Sequence, residues 1–294
     1  MRVLVYGAGV VGSICAARMH EAGIDVALVA RGDRLAAIRD RGVLVAEGDH
    51  GVVRSVPVPV VDSPAGDWDL ILVLVRAHQV DEVLQSLTGT TGDVLFLLNW
   101  AAGPGPLVEI LGENRVLLGF PLQGGVMAGD VVRYQSASRL TRLLSMPVGE
   151  PDGRTTPRLE RIIEVFGAAG FAAKAEPRID AWLRTHAAFE VPLGLAVHAA
   201  GGPEALADDR AAVRAMVREI KRSLGSMPNP AVPRSFRLLR IVPEPLLGAL
   251  LARFLRSGAA APLRTSSPAV SQELDRLAEQ LRTSALSLPD ELAR

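Results

Sequence analysis

Between residues 2 and 150 the chain alternates short, largely apolar runs with stretches of helical periodicity. Arg2–Tyr6 is one such run and ends in glycines, the pattern of a strand buried on both faces of a parallel sheet. Val11–Ala22 reads as a helix that Gly23 closes. Asp25–Ala30 predicts a second strand, and Arg34–Asp40 a helix with Asp33 placed to cap it. Residues 43–61 are rich in valine and broken by Gly48 and Gly51, which suggests a hairpin. "DLILVLV" (Asp69–Val75) and "DVLFLL" (Asp93–Leu98) are further buried strands, followed by helices near Gln79–Leu87 and Pro106–Leu111. Strands near Val116–Phe120 and Gly125–Gln135 come next. This alternation favours a parallel sheet with helical crossovers.

The pattern changes after about residue 150. Arg158–Ala169 is helical and Ala172–Lys174 is at most a short strand. From Ile179 the periodicity is helical almost to the end, broken by Pro and Gly clusters at 201–203, 225–233, 243–245 and 258–262. "SQELDRLAEQLR" (Ser271–Arg282) reads as an amphipathic helix with Leu274, Leu277 and Leu281 facing inward. There is no internal repeat.

Composition narrows the function classes. Hydrophobic residues make up 49% of the 294 and charged residues 22%, ordinary for a globular protein. The 32 basic and 32 acidic residues cancel, so no nucleic-acid partner is expected. Cys15 is the one cysteine, which excludes an intrachain disulfide and a cysteine metal cluster. The chain begins directly with a strand, without a signal-peptide layout, so a cytoplasmic location is expected. The apolar stretch Ile241–Leu255 is too short and too interrupted to cross a bilayer, so no membrane partner is expected either.

Gly7-Ala8-Gly9-Val10-Val11-Gly12 fits G-x-G-x-x-G. It follows a strand, opens a helix and lies in a βαβ unit of the right length, which gives the string its weight. In such a loop Gly7 makes the tight turn, Gly9 lets a pyrophosphate approach the backbone, and Gly12 packs the helix on the strand. The helix N-terminus supplies amides and a positive dipole end. A site for NAD usually places an acid at the end of the second strand; here Arg31 stands there, which suits a 2′-phosphate and favours NADP. The fold expected is α/β: an NADP-binding, Rossmann-type doubly wound sheet over residues 1–172, then an all-helical substrate domain over 173–294.

"YGAGVVGS", "LVARGDRLAAIRDRGV", "LVLVRAHQV" and "LLNWAAG" occur in this order, ahead of a helical half opening on "DAWLRTHAAFEVPLG". Together they resemble the ketopantoate reductase (2-dehydropantoate 2-reductase) family. The resemblance implies a two-domain NADP-dependent reductase, with its active site between the domains and a 2-oxo acid as substrate. It assigns the glycine loop, Arg31, Arg76, Gln79 and Asn99 to the cofactor. Arg76 stands where the family has a lysine, and Trp100 replaces the glycine that normally follows Asn99. The family's catalytic lysine, just after a tryptophan, falls on Arg184, or on Thr185 if the register slips by one. Its later asparagines fall on apolar or non-equivalent residues around Ala188 and Val191–Pro192. Its C-terminal Ser and Glu have loose counterparts in Ser266 or Ser267 and in Glu273.

The missing lysine is the chemical question. Reduction of a ketone needs a hydride and a proton, and arginine holds its proton at any working pH. The candidate catalytic residues are Arg184 as a clamp or oxyanion stabiliser, His186 as a proton donor, and Asn99. His186 reads equally as a packing histidine, since it shares a helix face with Trp182. His78 reads as a contact at the cofactor's edge. The leading function is therefore an NADP-dependent reductase of a 2-oxo acid or related carbonyl or imine. The alternative is a cofactor-binding relative with lost or altered, non-redox catalysis. A small-molecule substrate is the expected partner, and a homodimer the assembly to test.

Overall fold

The computed structural model describes residues 1–48, 50–135, 145–227, 231–264 and 267–286. The chain divides into two units, one of Met1–Leu98 with Pro104–Ile179 and one of Asn99–Gly103 with Asp180–Arg294.

Among the described residues the first unit holds twelve strands: β1 Arg2–Tyr6, β2 Asp25–Val29, β3 Val43–Glu47, β4 Arg54–Val56, β5 Val60–Val61, β6 Leu70–Val73, β7 Asp93–Leu97, β8 Val116–Gly119, β9 Gly125–Ala128, β10 Val131–Tyr134, β11 Met146–Gly149 and β12 Ala173–Ala175. Its helices are α1 Val10–Glu21, α2 Gly32–Arg41, α3 Val80–Leu87, α4 Gly105–Leu111 and α5 Pro157–Ala168. Eight strands form one sheet in the order β12-β11-β8-β7-β6-β1-β2-β5. From β5 to β8 every neighbour is parallel, with Val3 beside Val26 and Leu70. The strand order therefore reverses beside β1, the switch point at which an open α/β sheet takes its ligands. This is the doubly wound α/β fold.

The valine-rich 43–61 segment does form a hairpin, β3 with β4, but it leaves the main sheet. It joins the antiparallel pair β9 and β10 in a second sheet, ordered β4-β3-β10-β9. Helix α1 packs against β1 and β2 and also against strands of the second sheet. That is why Gly12–Ala17 and Met19 are all buried and why small residues, Ser13, Cys15, Ala16 and Ala17, fill the helix. Asp33 is not the cap of α2: Arg31 takes that position with extended backbone, and Asp33 lies inside the first turn. Strand β11 escapes the hydrophobic pattern because it has only four residues and includes Pro147. It runs antiparallel to β8 and parallel to β12.

The second unit carries α6 Ile179–Ala200, α7 Pro203–Asp208, α8 Arg210–Gly225, α9 Phe236–Ile241, α10 Glu244–Leu255, a 3₁₀ stretch Gly258–Arg264 and α11 Pro268–Leu286. No strand occurs among the described residues after β12. The predicted Pro and Gly clusters mark breaks between helices, but the break between α7 and α8 falls at Asp209, outside them. Met216, Val217, Ile220, Leu247, Leu251 and Leu255 form the centre of its core with Leu193 and Val197 of α6. Asp209 caps α8 by accepting from the amides of Ala211 and Ala212, at 2.8 and 3.0 Å. On α11, Leu274 and Leu277 are buried as the periodicity predicts. Gly194 of α6 leaves no room for a Cβ, which would stand 2.7 Å from the Leu274 side chain. No single helix among the described residues is long and apolar enough to cross a membrane.

One buried ion cluster ties the first unit together. Glu150, 3% exposed, follows β11 and accepts from Arg158 Nε at 2.8 Å, from Arg158 Nη2 and from the Thr156 hydroxyl. Arg158 Nη1 also donates to Asp93 Oδ1 at 2.9 Å and to the Asn114 carbonyl. Removing the cation leaves a buried carboxylate uncompensated. Arg158→Ala is expected to cost about 3–5 kcal/mol in urea denaturation, and adding Glu150→Gln should recover much of the loss. A loss below about 1 kcal/mol would mean that Glu150 finds other partners or water.

Candidate functional site

The turn after β1 is sterically determined. Gly7 has φ +119°, and a Cβ on it would stand 2.4 Å from the Leu74 carbonyl oxygen. At Gly12 a Cβ would stand 1.8 Å from the Gly7 oxygen. Gly9, by contrast, faces open space, with nothing within 4 Å of a Cβ. The first glycine thus lets the turn lie against the end of β6, the third lets α1 lie close against β1 and its turn, and the middle one leaves the backbone approachable. Gly9 caps α1, so the amides of Val10, Val11 and Gly12 belong to the helix's first turn and lack partners within the helix. These features fit a dinucleotide's pyrophosphate, which needs a bare backbone and inward-pointing amides.

Arg34 braces this turn from beneath. Its Nε donates to the Ala8 carbonyl at 3.3 Å, Nη1 to the Asp130 carbonyl at 2.9 Å, and Nη2 to Ser13 Oγ at 3.1 Å. Sequence reasoning missed it, because in "RGDRL" it reads only as the start of a helix. At the end of β2, Arg31 donates through Nη2 to the Tyr6 hydroxyl at 2.7 Å and through Nη1 to Glu82 Oε1. The sequence places no acid beside Arg31; the fold brings one from α3. Glu82, ahead of Tyr6, raises the pKa of the Arg31 guanidinium above its ordinary value.

Past β6, the 3₁₀ turn Ala77–Gln79 leads into α3. Gln79 turns its side-chain oxygen back on the Arg76 amide at 3.1 Å, while its own amide donates to the Arg76 carbonyl at 2.9 Å. That arrangement organises the turn and leaves the Gln79 carboxamide nitrogen available. His78 buries Nδ1 without a hydrogen-bond partner among the described residues, an orphaned atom of the kind a bound group would satisfy.

The second unit gathers another polar cluster around the loop Asn99–Gly103. Asn99 Nδ2 donates to Glu190 Oε1 at 3.3 Å. Glu190 Oε2 lies 2.7 Å from His186 Nε2, an ion-pair approach without hydrogen-bond alignment. The His186 ring stacks on Trp182, centroids 5.3 Å apart and planes 13° from parallel. Gln280, 5% exposed, accepts from the Ala101 amide at 2.9 Å. Asn99 Oδ1 and Gln280 Nε2 are buried with no hydrogen-bond partner among the described residues. Sequence reasoning did not find Glu190 or Gln280. The i, i+4 spacing of His186 and Glu190 in "THAAFEV" was the available signal for the first; nothing local marks the second.

The family model described as ketopantoate reductase PanE/ApbA matches residues 3–143. A 2-dehydropantoate 2-reductase of Archaeoglobus fulgidus is 30% identical over 189 residues, 61% of this chain and 57% of that protein. Over residues 3–143 the chain is thus similar to the ketopantoate reductase family, with sequence divergence from its curated relatives. The match spans little more than half of that relative's length. Among solved structures, the 2-dehydropantoate 2-reductase of Geobacter metallireducens GS-15 superposes with a TM-score of 0.69 at 16% identity, covering 98% of this chain and 100% of that one. The ternary structure of D-mandelate dehydrogenase with NADH and anilino(oxo)acetate reaches a TM-score of 0.71 at 16% identity, covering 98% and 99%. At these identities both carry the fold alone.

The ketopantoate reductase resemblance puts the family's lysine at Arg184 or Thr185, and the two differ sharply here. Thr185 is fully buried and uses its hydroxyl on the Ala181 carbonyl at 2.7 Å and the Val232 amide at 3.1 Å. Arg184 is partly exposed. Its Nε donates to Asp180 Oδ1 at 3.0 Å, and Nη2 would lie 2.7 Å from a Cβ on Gly103, whose φ is +78°. Trp100 does not reach out toward a ligand: it is 2% exposed and donates from Nε1 to the Gly103 carbonyl at 2.7 Å. Of the Ser266 and Ser267 pair, Ser266 lies outside the described residues. Among the described residues no three His, Cys, Asp or Glu side chains gather to hold a metal ion.

The glycine geometry makes a stability prediction that needs no ligand. Gly12→Ala should lower stability by about 1–3 kcal/mol or more, because the new methyl meets a carbonyl with nowhere to move. Gly9→Ala should leave the melting temperature nearly unchanged. Equal effects of the two substitutions in thermal denaturation would contradict the close packing of α1 on β1.

Proposed function

We propose that this chain is an NADP-dependent reductase of a 2-oxo acid or a related carbonyl or imine. The observation that carries the reading is the turn Gly7–Gly12, two of whose glycines admit no side chain while the third faces open space. The family similarity and the nicotinamide enzymes among its relatives support the reaction type.

Each residue then has a physical role. The amides of Ala8, Gly9, Val10, Val11 and Gly12 hold the pyrophosphate at the positive end of α1. Arg31 offers its planar fork to the 2′-phosphate, and Arg76 and Gln79 support the nucleotide from the turn after β6. The bound nicotinamide supplies the hydride. The chain itself must supply the proton and stabilise the charge that grows on the substrate oxygen. Arg184, anchored by Asp180, stays cationic and points about 200° around α6 from His186, so it serves as a clamp for a charged group away from the reacting oxygen rather than as the acid. His186, oriented by Trp182 and by the Glu190 carboxylate, holds and delivers the proton. Asn99, fixed on Glu190 through Nδ2, keeps Oδ1 for a hydrogen-bond donor on the ligand. A small-molecule substrate is the partner this arrangement serves.

NADPH binding, followed by fluorescence, and NADPH consumption against a panel of 2-oxo acids test the reading. Arg31→Ala is expected to weaken NADPH far more than NADH. With the accepted substrate, His186→Ala should lower kcat by about 10²–10⁴-fold with little change in nucleotide affinity. Arg184→Lys should gain nothing, since the proton has moved to another residue. A large gain from Arg184→Lys would return the donor's role to that position. Tight NADPH binding with no turnover on any carbonyl or imine would instead support a relative with altered catalysis.

A further inference from the structure

The pairing of Arg31 with Glu82 bears on which nucleotide the chain selects, and it rests on the nucleotide reading above. Glu82 lies in the first turn of α3, and its side chain is exposed, as is that of Arg31. The guanidinium is held from two sides, by the Glu82 carboxylate and by the Tyr6 hydroxyl, which itself lies 3.2 Å from Ser86 Oγ. An acid in the first turn of a helix is ordinary on its own, because it complements the helix dipole. Glu82, however, is turned onto the one cation at the end of β2.

That contact has opposite consequences for the two nucleotides. A 2′-phosphate brings close to two negative charges to a guanidinium that already carries a carboxylate, so it must share the cation with Glu82 or displace it. A 2′-hydroxyl brings no charge and donates a hydrogen bond. A carboxylate at this corner of a doubly wound sheet is the acceptor that an NAD ribose needs. The acid missing from the end of β2 is thus replaced by one delivered from α3. We propose that Glu82 is a specificity-determining residue that shares Arg31 with the nucleotide, holding down the preference for NADPH and admitting NADH as a working cofactor.

Dissociation constants for both nucleotides, measured by titration calorimetry on wild type and Glu82→Gln, decide the matter. Wild type is expected to bind NADPH and NADH within about tenfold of each other. Glu82→Gln should tighten NADPH and weaken NADH, moving their ratio by about tenfold or more. Glu82→Ala should move it in the same direction, and melting temperatures of both variants show whether they remain folded. In an Arg31→Ala background, Glu82→Gln should lose most of its effect on NADPH. A ratio unchanged within twofold in folded Glu82 variants overturns the inference while leaving the nucleotide reading intact. Failure of wild type to bind either nucleotide overturns both.

Discussion

The first unit depends on a contact that tolerates no atoms at all. Gly12 lies so close to the Gly7 carbonyl that a methyl group there would occupy the oxygen's own place. Only with that contact can α1 start directly above β1 and run between the two sheets. Its burial on every side, the choice of Ser13, Cys15, Ala16 and Ala17, and the position of its amide-bearing first turn all follow. Burial pushes the Cys15 thiol up to about 12, so the single cysteine is a packing residue and not a reactive one. Arg34 completes the arrangement. Burial lowers its pKa, and it spends its donors on the Ala8 carbonyl of the turn, Ser13 of α1 and the Asp130 carbonyl between β9 and β10, tying the three together.

The second unit depends on a borrowed loop. The chain leaves β7 at Leu97, and Asn99–Gly103 then packs with the helices rather than with the sheet. Trp100 closes the loop on Gly103, while Gln280 and Ser284 of α11 hold the amide and carbonyl of Ala101. Asn99 is therefore set by α6 and α11, far along the sequence from its own strand. Substitutions at Gln280 act on Asn99 through two residues of backbone, a coupling that spacing along the chain does not suggest.

What was legible in the sequence was whatever local physics writes there. The apolar runs marked β1, β2, β6 and β7, because strands buried on both faces need no alternation. The glycines marked the turn, because Gly7 and Gly12 admit no side chain there. Strand β11 was hidden by Pro147, and the second sheet by being assembled from two hairpins some seventy residues apart in the chain. The same limit governs the sites. Arg31 is readable from its place after β2, but Glu82, Arg34 and Gln280 gain meaning only from tertiary neighbours. Thr185 and Arg184 are adjacent and indistinguishable by register; burial and hydrogen bonding separate them.

The polar side chains of α6 also bear on the position at which the resemblance places a lysine. Two i, i+4 pairs follow one another along the helix, Asp180 with Arg184 and then His186 with Glu190. Arg184 and His186, two residues apart, point about 200° from each other, so the two pairs serve different surroundings. Decay tends toward apolar filling, because each buried polar atom without a partner costs about 1–3 kcal/mol. The second unit instead keeps two polar atoms, Asn99 Oδ1 and Gln280 Nε2, buried without hydrogen-bond partners among the described residues. One of these atoms accepts and the other donates. Polar groups held at that cost are the opposite of apolar filling.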